Sequence, residues 1–538
     1  MENILKILIT FAFLSLLVDA AVSISLPPAA RNPEKFKRAV DKAKSQLPNF
    51  GSKLPNFKNQ LEFKRALDKA KSQFPGITKK IHALQAWFRL QQRWRKAGRV
   101  SAFDDCIVMT ADSIDQIKSS VEIFEGVEWS KDGILSLNAT QKVQLNNLLS
   151  AAQTNVLTCL DGFTHTRADK KDQADILKAD LMVLHRGAGF MLSITNSLKV
   201  KEAETEIVPP GDDWPEWLSA EERTMLLHRN PEVVHATVAL DKSGDYKTVS
   251  DAVNAVRVKM MVHPSLGKRY VIRIKAGKYM ENVVIPKDMK NLTFIGDGSD
   301  KTFIIASQNV VDGSTTFNSA TVGVAGDGFL ASGITFENAA GPSKNQAVAL
   351  RVNADRAAFY GCNMIGHQNT LYVHSFRQFY KSCTIRGTVD FIFGNAAAFL
   401  YNCNIEARVP KPGQKNTITA QGRDNINQTT GIVIRKSRIR AAQELKDFKE
   451  EVWTYLGRPW KEYSRTVVME TDISNVIHPN GWLESRGEFA LNTLDYAEYM
   501  NTGDGAKTES RVKWKGFRVL TEKEVEPFTL RNFIGGKS

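Results

Sequence analysis

The chain lacks the signatures from which hydrolytic or nucleotide chemistry is usually read. It has no Gly-x-Ser-x-Gly turn to present a serine nucleophile and no His-Glu-x-x-His pair to hold zinc on a helix. Its closing Gly535-Gly536-Lys537-Ser538 has the outline of a phosphate loop, but Arg531 stands where the earlier glycine is required. Long apolar runs are missing as well. The extended run at 7–18 (ILITFAFLSLLV) falls short of the about 20 residues that a bilayer span needs. Cysteine is scarce: there are five, and none precedes Cys106, so no disulfide can staple the opening of the chain.

What is present describes a folded protein of more than one domain. Hydrophobic content of 42% and charged content of 24% are those of a globular chain, and 538 residues exceed one ordinary core. Lys6, the apolar run and the small residues of VDAAVS read as a secretory signal peptide over 1–23, cut after Ala20 or Ser23. Sequons at Asn138, Asn291 and Asn427 agree with export. A net charge of +14 suits a polyanionic partner. Export disfavours nucleic acid and favours an anionic extracellular polysaccharide; on charge alone, basic residues that merely keep the chain soluble are the alternative.

Four segments follow the signal. Residues 24–80 carry a duplication, FKRAVDKAKSQLPNF (36–50) and FKRALDKAKSQFPG (63–76), each a short basic amphipathic helix stopped by proline. Residues 81–205 are expected to be a helical bundle, since 145–163 and 179–198 repeat apolar residues every three or four positions. Residues 206–232, with VPPGDDWPEW, read as a link. From 233 to 538 short β-rich segments alternate with glycine and asparagine turns. FYGCNM, FYKSCTI and FLYNCNI place cysteines at 362, 383 and 403, steps of 21 and 20. That period, with no helix between, predicts a parallel β-solenoid in which the three cysteines form an interior ladder. They are packing residues, or one disulfide with a thiol left over.

The same period brings chemistry together. Gln346, Gln368 and Asp390 are 22 residues apart, so successive turns set two amides beside a carboxylate. Such a group can supply a nucleophile and oxyanion donors, although a ladder that caps solenoid turns has the same spacing. Asp390 lies in the apolar stretch Val389-Asp390-Phe391-Ile392-Phe393 and so needs a cationic partner.

The stretches 277–282 (GKYMEN), 346–350 (QAVAL), 387–394 (GTVDFIFG) and 456–460 (LGRPW) resemble, in order and spacing, the motifs of plant pectinesterases. The stretches around Cys106 and Cys159 resemble the pectin-methylesterase-inhibitor domain that precedes many of these enzymes. The resemblance implies an all-α inhibitor-like bundle followed by an all-β right-handed parallel β-helix, with Cys106 paired to Cys159. It implies hydrolysis of pectin methyl esters in the cell wall, without cofactor or metal. Asp390 would be the nucleophile, Gln346 and Gln368 the oxyanion donors, Arg458 the cation beside Asp390, and Trp460 and Thr316 the substrate contacts. The substrate would be homogalacturonan and the inhibitor-like unit an intramolecular partner. The chain would be a monomer, with no nucleic-acid partner and no membrane association after signal cleavage. The dibasic linker site of related proenzymes is replaced at 222–227 by ERTMLL, in which Arg223 alone is basic.

One departure bears on catalysis. The family reads Gln-Asp-Thr-Leu-Tyr where this chain has Gln368-Asn369-Thr370-Leu371-Tyr372. That aspartate is the general acid and base, and an amide cannot exchange a proton near neutral pH. His367, Asn345 and Ser485 also stand where the family has tyrosine, histidine and tryptophan. His367 is a second candidate proton donor. Two readings stay open: an esterase of reduced activity, and a pectin-binding or regulatory homologue without turnover. Polygalacturonases and pectate lyases share the solenoid, so the ordered motifs rather than the fold set them aside.

Overall fold

The computed structural model describes residues 102–127, 136–163, 171–200, 213–262, 269–448 and 451–535. The expected signal peptide, the duplicated extension and the bundle's first residues lie outside the described residues. The chain divides into two compact units.

In the first unit, α1 (Ala102–Glu125), α2 (Ala139–Asp161) and α3 (Lys171–Ser197) form a bundle. Asn138 caps α2 reciprocally with Gln141: its side chain accepts from the Gln141 N–H, and Gln141 accepts from the Asn138 N–H. The capping atom is Oδ1, so the sequon nitrogen remains open to a glycan. Phe103 meets Phe163 at 4.7 Å, and Cys106 is bonded to Cys159, as the resemblance implies. Closing a loop of 53 residues stabilises the unit by about 4 kcal/mol on the chain-entropy model. Polar bonds also cross the α1–α2 interface, from Ser113 to the Ala152 carbonyl and from Asn155 to Gln116.

The second unit is a right-handed parallel β-helix. Its strands stack into sheets of eleven, eight and seven members, and every pair among them is parallel. The sequence dictates this by short apolar strands ended at residues that tolerate left-handed backbone, such as Asn402 (φ 53°) and Gly361 (φ 57°). Phe359, Tyr380 and Leu400 lie level on consecutive turns. Cys362, Cys383 and Cys403 form the interior ladder, all as buried free thiols, so packing is the option realised. Burial pushes the Cys362 thiol up to about 12. A thiol reagent is therefore expected to label none of the three in the native protein and all three once guanidinium unfolds it.

Both ends of the helix are closed. Over the first turns lies α5 (Val249–Val262), whose buried Val249, Ala252, Val253 and Val256 cover the core. In chain order α4 (Ala220–His228) precedes it. The Glu281 carboxylate, within the GKYMEN stretch, accepts the Val249 and Ser250 N–H groups at the start of α5 (Val249–Val262). Toward the C-terminus Glu498 and Arg511, each with a side chain 1% exposed, form a two-pronged pair at 2.7 and 3.1 Å. Trp482 donates its indole N–H to the same carboxylate at 3.2 Å.

From Asp213 the expected link is folded onto the eleven-stranded sheet. Trp214 packs against Tyr360 and Phe379 at 5.6 and 5.8 Å, under the Lys381 ammonium at 4.8 Å. Leu226 of α4 is fully buried, and its carbonyl accepts from Ser332 at 2.7 Å. Glu222 pairs with Arg269.

Candidate active site

The site lies on the seven-stranded sheet. Leu371 is level with Ile392, and Ile392 with Thr419. Carried back two residues, this register sets Asn369, Asp390 and Thr417 side by side on three turns. All but Thr417 sit at left-handed positions, Asn369 at φ 63° and Asp390 at φ 50°. Such backbone is costly and persists where surrounding contacts impose it.

Asp390 is held from two directions. Arg458 donates Nε to Oδ1 at 2.8 Å and Nη2 to Oδ2 at 2.7 Å. Thr417 accepts the Asp390 N–H at 2.8 Å and donates its own hydroxyl to Oδ1 at 2.7 Å. Oδ1 thus accepts two hydrogen bonds and Oδ2 one, while the Asp390 side chain stays 17% exposed. Arg458 is aimed by its backbone N–H on the Thr419 carbonyl at 3.0 Å. Burial draws the Arg458 guanidinium down, but the Asp390 charge and hydrogen bonds outweigh it and hold the group above its ordinary value. The cation that the sequence demanded for Asp390 is Arg458.

The glutamines are placed differently from the expected ladder. The Ala347 N–H bonds the Gln368 carbonyl and the Asn369 N–H bonds the Val389 carbonyl. Gln346 and Gln368 therefore follow one another, but Val389 is level with Gln368 on the next turn. The cause is one residue fewer between turn and strand: Gln368 precedes Leu371 by three positions, and Asp390 precedes Ile392 by two. Both glutamines are half-buried, and neither side chain bonds Asp390. The Gln346 carbonyl receives the Val310 N–H at 3.1 Å, which anchors the loop bearing half-buried Thr316.

Beside Asp390 is an aromatic shelf. Tyr372 stacks on Phe393 at 4.1 Å, and Trp460 meets Phe393 at 5.9 Å and Tyr372 at 6.5 Å. Gly422 makes room for Trp460, since a Cβ there would come within 2.9 Å of the indole. Phe317 and Arg351 extend the shelf, with the guanidinium 3.4 Å from the ring centre.

Asn369 is 6% exposed and donates Nδ2 to the Asp390 carbonyl at 3.3 Å. His367, the second candidate proton donor, is half-buried. Burial, and then the charge of Arg408, hold its imidazole down to about 4, so it is neutral near pH 7. Arg408 and Glu444 are the charged groups that act on it. Ser485 is half-buried and Asn345 is left-handed at φ 56°. Sequence reasoning missed Thr417. No group of acidic, histidine or cysteine side chains among the described residues is arranged to hold a metal.

Fold and site together define a β-helix carbohydrate esterase. A family model described as Pectinesterase matches residues 235–537, and one described as plant invertase/pectin methylesterase inhibitor matches 41–198. The second match reaches back into the duplicated extension. The chain is 51% identical to Pectinesterase 1 of Citrus sinensis over 81% of this chain and 74% of that one. It is 48% identical to pectinesterase/pectinesterase inhibitor 3 of Arabidopsis thaliana over 81% and 76%. The solved pectin methylesterase from carrot shares 58% identity, covers 57% of this chain and 95% of its own, and superposes with a TM-score of 0.55. The chain belongs to the pectinesterase family, preceded by an inhibitor-type helical domain.

Proposed function

We propose that the β-helix unit de-esterifies methylated homogalacturonan, with Asp390 as nucleophile and a rate lowered by Asn369. The observation that carries this reading is the two-sided hold on Asp390 by Arg458 and Thr417. It orients the carboxylate and leaves Oδ2, which accepts a single bond, as the attacking oxygen. Oδ2 adds to the C6 carbonyl carbon of a galacturonate methyl ester, and the carbonyl pair moves onto oxygen as an oxyanion. Gln346 and Gln368 are the amide donors for that oxyanion. Collapse expels methoxide, which needs a proton to leave as methanol, and forms an acyl-enzyme anhydride. Water then adds to the same carbon, loses a proton and frees Asp390. Both proton transfers fall to the position held by Asn369, which cannot perform them. Trp460 and the Tyr372–Phe393 shelf support a sugar ring, with Thr316 a further contact.

The signal-like segment at 1–23 supports secretion into the cell wall. No helix among the described residues is long and apolar enough to cross a membrane. We take the chain as a monomer whose inhibitor-like unit is its intramolecular partner. Asp390→Asn is expected to abolish methanol release from methylated pectin while leaving pectin binding in place; undiminished release would refute the nucleophile assignment. The second reading, binding without turnover, draws on the Asn369 amide serving as a strut to the Asp390 carbonyl. It predicts no methanol from either protein.

A further inference from the structure

None of the groups that bond Asp390 can give up a proton near neutral pH. Arg458 donates to both carboxylate oxygens, at 2.8 and 2.7 Å, as a guanidinium held above its ordinary value. Thr417 offers an aliphatic hydroxyl at 2.7 Å, and Asn369 an amide that donates to the Asp390 carbonyl at 3.3 Å. All three donate hydrogen bonds without parting with the hydrogen. The Gln346 and Gln368 side chains are amides as well. His367 is neutral at pH 7, because burial and then the charge of Arg408 draw it down to about 4.

An ester carbon attacked by Asp390 holds two groups that can leave: the carboxylate that arrived and the alcohol oxygen. The carboxylate is the base of an acid of pKa about 4. Methoxide resembles hydroxide, the base of water, whose pKa is about 15.7. Without a proton methoxide loses this competition, and the adduct reverts to ester. A phenolate is the base of an acid of pKa about 10, so it departs as an anion far more readily. Asn369 suits an anionic departure. Its Nδ2 carries two hydrogens, and the Asp390 carbonyl takes one of them.

We propose that this site selects for the leaving group, cleaving galacturonate esters of phenols where methyl esters react slowly. This rests on reading Asp390 as the nucleophile toward galacturonate esters. Oδ2 forms a bond to C6, the bond from C6 to the aryl oxygen breaks, and its electron pair leaves on the phenolate. No proton moves in that step. The second hydrogen of Asn369 Nδ2 bonds the departing oxygen. Water then adds to C6 of the anhydride, the bond from C6 to Oδ2 breaks, and both protons of the water pass to solvent. The carboxylate expelled here needs no acid either.

The test uses two oligogalacturonates that carry a single C6 ester, methyl in one and phenyl in the other. Full-length protein in excess over ester reads one acylation, as methanol or phenol released, and Asp390→Asn gives the background. Asn369→Asp is expected to speed methanol release by about 10²–10⁴-fold and phenol release by less than about tenfold. Circular dichroism establishes that each variant is folded. A second measurement needs no variant. In the wild type the ratio of phenol to methanol rates is expected to exceed that of hydroxide in solution by at least about 10²-fold. A ratio no greater than that of hydroxide, or an equal gain on both esters in Asn369→Asp, overturns the selectivity and leaves the proposed function standing. Release of both alcohols at background by the wild type overturns that function, and the selectivity with it.

Discussion

Asn369→Asp is expected to raise methanol release from methylated pectin by about 10²–10⁴-fold, the usual worth of a positioned general acid and base. Asparagine and aspartate are nearly the same size, so the carboxyl group would occupy the space of the amide without repacking. That space is 6% exposed and abuts the Asp390 carbonyl, which now accepts from the Asn369 side-chain Nδ2. A carboxylate there would face an acceptor, and it would lie on the turn next to a second carboxylate. Both effects favour the protonated acid, the form needed to protonate departing methoxide. The gain should appear in kcat with KM little changed, because the substitution supplies a group that acts in the transition state. Equal rates in the two proteins would show that proton transfer does not limit this site. No methanol from either would select the binding-only reading.

Arg511→Ala is expected to destabilise the β-helix unit by about 3–5 kcal/mol, the cost of leaving a buried charge without its partner. Glu498 would keep the Trp482 indole N–H, but nothing would replace the two guanidinium bonds at 2.7 and 3.1 Å. Arg511 also donates to the Gly505 and Pro479 carbonyls at 2.6 and 3.0 Å, so two further backbone acceptors would go unmet. Denaturant unfolding followed by tryptophan fluorescence would read the loss directly. A midpoint shift equivalent to less than about 1 kcal/mol would mean that water reaches Glu498 and the pair is not sealed. Both side chains being 1% exposed argues for the larger effect.

Much of the β-helix could be read from residues because a solenoid writes its period into the chain. Cysteines at steps of 21 and 20 sit at the turns just after strands in which Phe359, Tyr380 and Leu400 lie level on consecutive turns. The demand of Asp390 for a cation followed from its apolar neighbours, and Arg458 meets it. Thr417 escaped for the reason the cysteines were found. An excursion between two strands lengthens its turn, so it stands 27 residues from Asp390. Spacing also could not reveal the one-residue slip that sets Asp390 level with Asn369, because that slip depends on how many residues each turn uses. The stretch after 206 reads as a link from its prolines and acids, yet Trp214 is buried and the Trp217 indole donates to the Ile534 carbonyl at 2.9 Å. Those partners lie far away in sequence, and no local pattern announces them.

The docking of that stretch bears on maturation. The replaced dibasic segment at 222–227 falls within α4, where Arg223 Nε bonds the Leu218 carbonyl at 3.0 Å and Leu226 is sealed against the sheet. Proteases take their substrates as extended strands, so a cut after Arg223 would require α4 to unwind and Leu226 to leave the core. Folding therefore acts as a lock on this bond. In the folded protein α4 is thus a strap that holds this segment to the esterase-type unit.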